Sequence, residues 1–249
     1  MAPAVAGLQA ARAGDLEDSG RDAPVTARGR CTREALLRAA RDVFERDGYF
    51  DAKITDMTAG AGVSSGTFYT YFDSKEEIFR DVALLVQQDM TWAGNPRHDD
   101  DDLDPVRRIE RANRAYLEAY RRNAGFMRTL EQVLAFNSDI TGVAGPRREA
   151  FAPRIERSIR GMQDDGLVPH DLDPVEAGLA LMAMVSRYAF WLYVSPGEHA
   201  VEMDDAVYTT TLLWARAVGL DVTDLVARRG AQRALKPAAN GRRRASRAR

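Results

Sequence analysis

Residues 62–75, GVSSGTFYTYFDSK, constrain the fold of this chain more than any other stretch of the sequence. Phe68 and Phe72 are four residues apart, a spacing that puts both rings on one face of a helix. If that face is buried, Tyr69 and Tyr71 are expected on the outside. Small residues precede these aromatics, so the pattern predicts a short helix with a bare front and phenols on its outer side.

Helical patterns surround this segment. Four helices are predicted, from a Thr32 cap to about Asp47, from about Ile54 to Gly60, from a Ser64 cap through Tyr71, and from an Asp73 or Ser74 cap to about Trp92. Gly48 stands where the first helix is expected to stop, and Gly62 supplies the turn between the second and third. Glu76 and Glu77 are favourably placed at the positive end of the fourth helix.

The helix, tight turn and helix of residues 54–72 have the dimensions of a helix-turn-helix, whose second helix enters the major groove of DNA. The small Gly66 lets the backbone approach a duplex. Thr67 can offer a hydroxyl to a phosphate and a methyl to a thymine. The two phenols can each donate a hydrogen bond to a phosphate. Lys75 begins the next helix, where an ammonium beside free backbone N–H groups favours a phosphate.

Residues 32–79 resemble the N-terminal DNA-binding domain of the TetR family of bacterial repressors. The family's pattern stands here as Ala61 to Ser64, then Gly66, Thr67, Tyr69, Tyr71, Phe72 and Lys75. The resemblance implies DNA contacts from Thr55, Ser65, Gly66, Thr67, Tyr69 and Tyr71, and a phosphate contact from Lys75. Lys53 replaces the hydroxyl residue that usually caps the second helix, and its ammonium can pair with a phosphate. The resemblance covers about a fifth of the chain.

The rest of the sequence is also helical in pattern, and no alternating strand pattern of any length occurs. Further helices are predicted over 105–122, 124–137, 146–165, 173–194 and 203–220, after a loop over 94–105 that holds the acidic run from Asp99 to Asp102. The fold class is therefore all-α, with an N-terminal three-helix DNA-binding domain and a larger helical ligand-binding and dimerisation domain. The predicted units are a disordered extension over 1–27, the helix-turn-helix domain over 28–77, the helical domain over 78–222 and a flexible basic tail over 223–249.

The last two predicted helices carry more apolar side chains than one core can bury. The segment 173–194 is apolar on every face, so a second surface must cover it. A second copy of the chain is the simplest partner, because two such helices from each chain make a four-helix interface. The residues predicted in that dimer interface are Tyr188, Trp191, Leu192, Tyr208, Leu212 and Trp214.

The family resemblance further implies a small-molecule effector bound in the second domain. Flexible methionines suit an adaptable apolar pocket, and an apolar effector is expected. The candidate lining residues are Met127, Leu130, Leu134, Phe136, Met162, Met182 and Met184. The alternative, that these methionines simply fill the core, has at least equal weight.

Charge and cysteine content exclude several classes of protein. The net charge of the chain is −2, and residues 28–80 hold nine basic and nine acidic side chains, so no global positive field is present. One cysteine, Cys31, excludes an internal disulfide and a cysteine-based metal cluster. No metal site and no cofactor are predicted. Since no secretory signal and no apolar run of about 18 residues occur, a cytoplasmic location without membrane contact is expected.

The sequence thus predicts a dimeric, ligand-responsive regulator of transcription that binds a double-stranded operator, and more readily a repressor than an activator. Three alternatives stay open. An enzyme in a helical scaffold would need a nucleophile–base pair, a metal set or a phosphate loop, and none is visible. A helical protein can bind a partner through residues 173–220 without sequence-specific DNA reading. Nonspecific nucleic-acid binding through the basic tail is the third.

Overall fold

A computed structural model describes residues 26–93, 103–136, 144–195 and 201–235, and all regular secondary structure in these ranges is helical. The helices are α1 (Ala27–Asp51), α2 (Ile54–Ala61), α3 (Ser65–Tyr71), α4 (Lys75–Ala93), α5 (Pro105–Arg122), α6 (Ala124–Phe136), α7 (Ala144–Asp164), α8 (Pro174–Tyr193), α9 (Met203–Ala217) and α10 (Thr223–Leu235). The all-α prediction is confirmed, and the predicted ends of α2 to α6 lie within about one residue of those observed.

Helix starts follow from local capping. The Asp104 carboxylate accepts from the N–H of Arg107 at 3.1 Å, and Pro105 occupies the first helical position of α5, where no N–H is needed. The same pairing begins α8, where one Asp173 oxygen accepts from the N–H groups of Val175 and Glu176 at 2.8 and 3.0 Å. An aspartate followed by proline therefore sets where both helices begin.

The predicted start of α1 is wrong. Thr26 caps this helix by accepting from the N–H of Gly29 at 3.1 Å, whereas the Thr32 hydroxyl donates within the helix to the carbonyl of Arg28 at 3.0 Å. Helix α1 therefore begins at Ala27, earlier than a Thr32 cap would place it, and it includes Arg28 and Arg30. Of the predicted disordered extension, residues 1–25 lie outside the described residues, and so does most of the predicted loop over 94–105.

Gly48 interrupts α1 as predicted. Its φ of 76° and ψ of 178° are open to glycine and strained for other residues, so the last three residues of α1 change direction there. This bend brings Tyr49 onto Phe79 of α4, with ring centroids 4.9 Å apart. The end of α1 is thereby fixed against the start of α4.

Two apolar clusters hold the helices together. The first joins the helix-turn-helix region to α4, α5 and α6 through Phe44, Phe79 and Phe126, whose neighbouring centroids are 5.0 and 5.2 Å apart. The second lies at the other end of the bundle, where α5 and α8 meet α9 around Trp214. Because the first cluster is continuous across residue 77, the predicted domain boundary falls within one packed core.

Helix α10 corrects the predicted basic tail, which was placed from residue 223 onward. Leu225 is buried in the second cluster, and Arg228 donates to Glu110 of α5 at 2.8 Å. Arg229 pairs with Asp205 at the start of α9. The first thirteen residues of the predicted tail therefore form a docked helix, and residues 236–249 lie outside the described residues.

Candidate nucleic-acid interface

The turn between α2 and α3 is fixed by backbone geometry. Gly62 ends α2 in the left-handed region, with φ 67° and ψ 33°, and its N–H donates to the carbonyl of Ala59 at 3.2 Å. The N–H of Val63 donates to the carbonyl of Thr58 at 3.0 Å, which completes the helix end. Ser64 then caps α3, as predicted, by accepting from the N–H of Thr67 at 3.2 Å. Three residues, Gly62, Val63 and Ser64, therefore join the two helices.

Helix α3 presents a small, bare front to solvent. Phe68 and Phe72 are fully buried, whereas Ser65 and Gly66 are exposed. No atom blocks the approach to Gly66, since a Cβ built there would meet only the hydroxyl oxygen of Ser64, at 3.7 Å. The Thr67 hydroxyl lies 3.0 Å from that of Ser64, so it takes part in the cap. The front of α3 therefore has room for a duplex backbone.

The two tyrosines of α3 are not equivalent. Tyr69 is 53% exposed, as predicted, with its ring edge-on to Phe68. Tyr71 is half-buried and packs against the first apolar cluster, so its predicted full exposure is wrong. On a helix, residue 71 lies about 60° from residue 68 and about 100° from residue 72, and this places its ring beside the buried face. None of Thr67, Tyr69 and Tyr71 is buried.

Lys75 has partners within the protein. Its ammonium donates to the carbonyl oxygens of Tyr49, Phe50 and Ala52 at 2.9, 3.2 and 3.1 Å, and lies 4.8 Å from the centre of the Tyr49 ring. An ammonium has three hydrogens, and the three carbonyls can accept all of them. A phosphate bound at Lys75 would have to replace one of these bonds. Sequence reasoning missed this arrangement, which closes the end of α1 over the start of α4.

The Tyr49 side chain completes the same junction. Its hydroxyl donates to Glu76 Oε1 at 2.9 Å. Burial, and then this bond, raise the pKa of the Tyr49 phenol above its ordinary value, so it remains a donor at neutral pH. A hydrogen bond from its own backbone N–H is the main cause that holds the pKa of Glu76 below the usual range. The start of α4 therefore carries a charged carboxylate held by the protein itself.

Arg33 of α1 pairs with Asp81 of α4, and its guanidinium carbon lies 5.3 Å from the centre of the Phe72 ring. Burial raises the pKa of Asp81, and this outweighs the opposing effect of Arg33. Arg33 therefore ties α1 to α4 behind the recognition helix. Its partner is 48 residues away in sequence, so no local pattern signals the pair.

The start of α2 places two predicted contacts at the surface. Lys53 is exposed and extended, and its side chain makes no capping bond, as its identity implied. Thr55 is exposed one turn before the buried Met57 and Thr58. Both predicted contacts at the start of α2 are therefore accessible to solvent.

Residues 36–82 match the family model described as bacterial regulatory proteins, tetR family. The chain is also similar to the HTH-type transcriptional repressor DhaR of a Mycobacterium species, at 27% identity over 57% of this chain and 72% of DhaR. It is 26% identical to the HTH-type transcriptional regulator EthR of Mycobacterium tuberculosis, over 63% of this chain and 73% of EthR. Residues 36–82 of this chain are therefore a DNA-binding region of the TetR family of bacterial regulatory proteins.

Solved structures of the family extend the likeness to the second domain. The TetR-family regulator PfmR of Thermus thermophilus superposes with a TM-score of 0.57 at 21% identity, covering 75% of this chain and 98% of PfmR. GusR of Salmonella enterica superposes with a TM-score of 0.64 at 16% identity, covering 78% of this chain and 98% of GusR. The fold is therefore that of a whole TetR-family protein. A TetR-family member is a DNA-binding regulator of transcription and not an enzyme.

In this regulator the predicted effector-binding residues do not surround one space. Met127 and Leu130 are buried in the first cluster, against which Leu134 and Met182 pack. Met162 and Met184 belong to the second cluster. The side chain of Phe136 lies outside the described residues. The set is divided between the two cores, so its members fill both ends of the bundle.

The predicted dimer residues of the regulator divide by exposure. Trp191 of α8 is 58% exposed, and Tyr188, Leu192, Tyr208 and Leu212 are half-buried. Trp214 was also predicted in the dimer interface, but it is only 7% exposed and packs in the second cluster of its own chain. Its neighbour Leu213 takes the outward direction instead and is 51% exposed, because successive helical residues point about 100° apart.

Helix α8 of the regulator is buried on one side only. It packs on α7, α5 and the rest of the second cluster through Leu181 and Val185, while Val175 and Trp191 point outward. By length and composition alone this helix is apolar enough to cross a membrane, and 22% of its most apolar window is buried. Its outward side therefore needs a covering surface. Among the described residues, no group of three His, Cys, Asp or Glu side chains is placed to hold a metal ion.

Proposed function

We propose that this TetR-family regulator binds a palindromic operator as a homodimer, acts as a repressor in the cytoplasm, and is released by a small apolar effector. The proposal assigns DNA contacts to Ser65, Gly66, Thr67, Tyr69 and Tyr71 of α3, to Thr55 and Lys53 at the start of α2, and to Lys75. The similar protein DhaR is an HTH-type transcriptional repressor, and this supports the proposed direction of control.

The bare front of α3 is the observation that carries the proposal. Exposed Ser65 and Gly66 stand beside exposed Tyr69, while Phe68 and Phe72 anchor the helix from behind. A major groove about 12 Å wide admits one helix, and small front residues let its backbone come close to the base edges. A purely structural helix corner would explain the buried rings but not an exposed tyrosine beside a glycine.

A dimer is supported by the exposed apolar side of α8 and α9. Trp191 and Leu213 are the most exposed large apolar side chains of these two helices. Two copies that cover them would form a symmetric four-helix contact and carry two recognition helices. When these helices are about 34 Å apart, they match two half-sites of a palindrome one turn apart.

Release by an effector is proposed as a change in half-site spacing. Contacts between α6 and α1, including the hydrogen bond from Thr129 Oγ1 to the carbonyl of Phe44 at 2.9 Å, link the second domain to the helix-turn-helix. An effector that binds one arrangement of these helices about a hundredfold more tightly would supply a coupling near 3 kcal/mol. An apolar ligand is proposed because apolar side chains dominate the interior of the bundle.

The test begins with selection of bound duplexes from a random pool by the full-length protein. The double variant Tyr69→Phe/Tyr71→Phe is then measured on the selected duplex by fluorescence anisotropy. Loss of two hydroxyl–phosphate bonds at about 0.5–1.5 kcal/mol each predicts roughly five- to hundredfold weaker binding per half-site. The dimer should be unchanged by light scattering.

Tyr116→Phe is the matched control, because it removes the same hydroxyl from a half-buried tyrosine of α5 that lies outside the proposed DNA and dimer contacts. It is expected to bind the duplex like the natural protein. A random pool that yields no preferred sequence, or a double variant with unchanged affinity, would favour a partner-binding protein over an operator-binding one. Displacement of the selected duplex by lipophilic metabolites tests release by an effector.

A further inference from the structure

Helix α10 is anchored to the bundle by charged side chains. Arg228 donates from Nη1 to Glu110 at 2.8 Å and from Nε to Asp224 at 2.8 Å. Arg229 pairs with Asp205 of α9, and its guanidinium carbon lies 5.3 Å from the centre of the Tyr208 ring. These contacts involve three helices and fix both the position and the rotation of α10.

The direction of α10 follows from the same contacts. Its first turn meets the start of α5, where Arg107 lies 3.4 Å from Asp224. Further along α10, Arg229 and Arg233 contact Asp205, whose neighbour Asp204 pairs with Arg114 in the middle of α5. Helix α10 therefore runs beside α5 in the same direction.

Helix α5 runs toward the helix-turn-helix. Its first turns lie in the second cluster, whereas Leu117 and Tyr120 lie in the first cluster, with the core of α1 and α4. At its end the carbonyl of Arg122 accepts from Arg41 of α1 at 3.5 Å. The end of α10 is thus directed toward the same side of the molecule as the recognition helix.

The sequence that follows α10 is strongly basic. Residues 236–249 contain Lys236, Arg242, Arg243, Arg244, Arg247 and Arg249, and no acidic residue. By contrast, residues 28–80 are neutral overall, with nine basic and nine acidic side chains. Some of those cations are engaged within the domain, as Arg33 is with Asp81 and Arg41 with Glu45. The helix-turn-helix therefore offers little net positive charge to a duplex.

We propose that residues 236–249, which we call the basic segment, bind the phosphate backbone that flanks the operator and supply charge that the helix-turn-helix lacks. Neutralising phosphates releases condensed counterions, which is the main source of sequence-independent affinity for DNA. This inference rests on the proposed operator binding. It adds that affinity and sequence preference reside in different parts of the chain.

The basic segment is long enough for this role. Fourteen residues span at most about 46–50 Å when fully extended, at about 3.3–3.6 Å each. The end of α10 lies beside the middle of α5, near Arg114. The second half of α5 spans roughly 12 Å, at 1.5 Å per residue, and ends at the helix-turn-helix domain. About 34–38 Å of extended chain then remains, which lets the segment run along that domain toward DNA beside the contacted half-site.

The decisive measurement is the salt dependence of binding to the selected duplex. In the neutral variant, Lys236 and the five arginines are all changed to glutamine. In the charge-matched control, the five arginines are changed to lysine. Each lost phosphate contact lowers the slope of log K against log salt by about 0.9, so the neutral variant should lose up to about five units per chain. The control should keep the natural slope.

Duplex length locates the contact. On a duplex trimmed to the two half-sites, the natural protein should lose most of its advantage over the neutral variant, which should bind long and trimmed duplexes alike. An unchanged slope in the neutral variant would overturn the proposal. A neutral variant whose affinity falls only for a structured RNA, and not for the duplex, would also overturn the proposal. The basic segment would then be an RNA-binding segment.

Failure of this inference can be told apart from failure of the proposed function. The neutral variant is expected to select the same sequence from a random pool as the natural protein, with weaker binding throughout. If it does so with an unchanged salt slope, operator binding stands and the basic segment has another role. If neither protein selects a sequence, operator binding itself fails. Both variants leave residues 26–235 unaltered, so their helix content and oligomeric state should match those of the natural protein.

Discussion

The Lys75 ammonium donates to the carbonyl oxygen of Tyr49 at 2.9 Å while it lies 4.8 Å from the centre of the same residue's ring. Two more carbonyls, of Phe50 and Ala52, accept from this ammonium. The last residues of α1 therefore turn their carbonyl oxygens toward a single cation at the start of α4. This explains how the chain ends α1 after the bend at Gly48 without leaving its carbonyls unpaired.

Lys75→Met is expected to destabilise the protein, because it keeps the apolar stem but removes three donors from partly buried carbonyls. The free energy of unfolding should fall by about 1–2 kcal/mol, measured by denaturant titration. Lys53→Met, at an exposed cation of the same domain, should leave it within about 0.5 kcal/mol. If Lys75→Met instead unfolds like the natural protein and loses duplex affinity, a phosphate contact is its main role.

Part of this fold is encoded locally. The Ser64 cap of α3 and the breaks at Gly48 and Gly62 were predicted, whereas the Asp–Pro pairs that begin α5 and α8, at Asp104 and Asp173, are local signals that were not used. The start of α1 was missed because Thr26 and Thr32 are both plausible caps. The intervening residues 27–31 carry no apolar period that would favour one of them.

What the sequence could not predict depends on contacts between distant residues. Helix α10 buries little apart from Leu225, and its arginines are held by acids as far as 118 residues away. Its composition therefore resembles that of an unpaired tail. The orientation of Trp214 was missed for a different reason. Leu212, Leu213 and Trp214 follow one another in α9, so the local pattern does not show which of these large apolar residues points inward.

Asp81→Asn tests the balance between burial and pairing at the junction of α1 and α4. Burial raises the pKa of Asp81 above its ordinary 3.8, although Arg33 and Arg80 oppose the shift and Glu77 reinforces it. The folded state therefore holds the Asp81 proton more tightly than the unfolded state. The stability of the natural protein relative to the asparagine variant should fall as the pH rises from below 3.8 through the raised pKa, and then level off.

Urea unfolding of both proteins between about pH 2.5 and 7.5, in steps of about half a unit, measures this difference. Asp47→Asn is a control of opposite sign, because the hydrogen bond from Arg46 lowers the pKa of Asp47. The contribution of Asp47 to the free energy of unfolding should be present above its ordinary pKa, and it should be lost as the pH falls through its lowered pKa. If the stability of the natural protein relative to Asp81→Asn instead rises with pH, the ion pair with Arg33 outweighs the effect of burial.

Thr129→Val tests the contact between the second domain and the helix-turn-helix. The Thr129 hydroxyl is buried and donates to the carbonyl of Phe44 at 2.9 Å. Valine has nearly the same shape but no donor, so the free energy of unfolding should fall by about 1–3 kcal/mol. Thr129→Ser keeps the hydroxyl and should cost about 1 kcal/mol for the lost methyl group. Equal losses in the two variants would mean that packing, and not the hydrogen bond, joins α6 to α1.

The double variant Trp191→Glu/Leu213→Glu tests the proposed dimer surface. Both side chains are more than half exposed in a single chain, so their replacement should leave the fold and its helix content unchanged. A buried tryptophan at an interface commonly contributes at least about 2 kcal/mol, and a two-fold axis counts each change twice. The dissociation constant of the dimer should therefore rise by about a thousandfold or more, which ultracentrifugation across a concentration series can measure.

Leu167→Glu is the matched control for that experiment. Leu167 is 45% exposed in the turn between α7 and α8, away from the outward sides of α8 and α9. Its replacement by glutamate therefore introduces the same charge at a comparable apolar position. It should remain dimeric and bind the selected duplex normally. The double variant, as a monomer, should bind a single half-site as well as the natural chain does but lose the palindrome. A dimer that persists in the double variant would place the subunit contact elsewhere on the bundle.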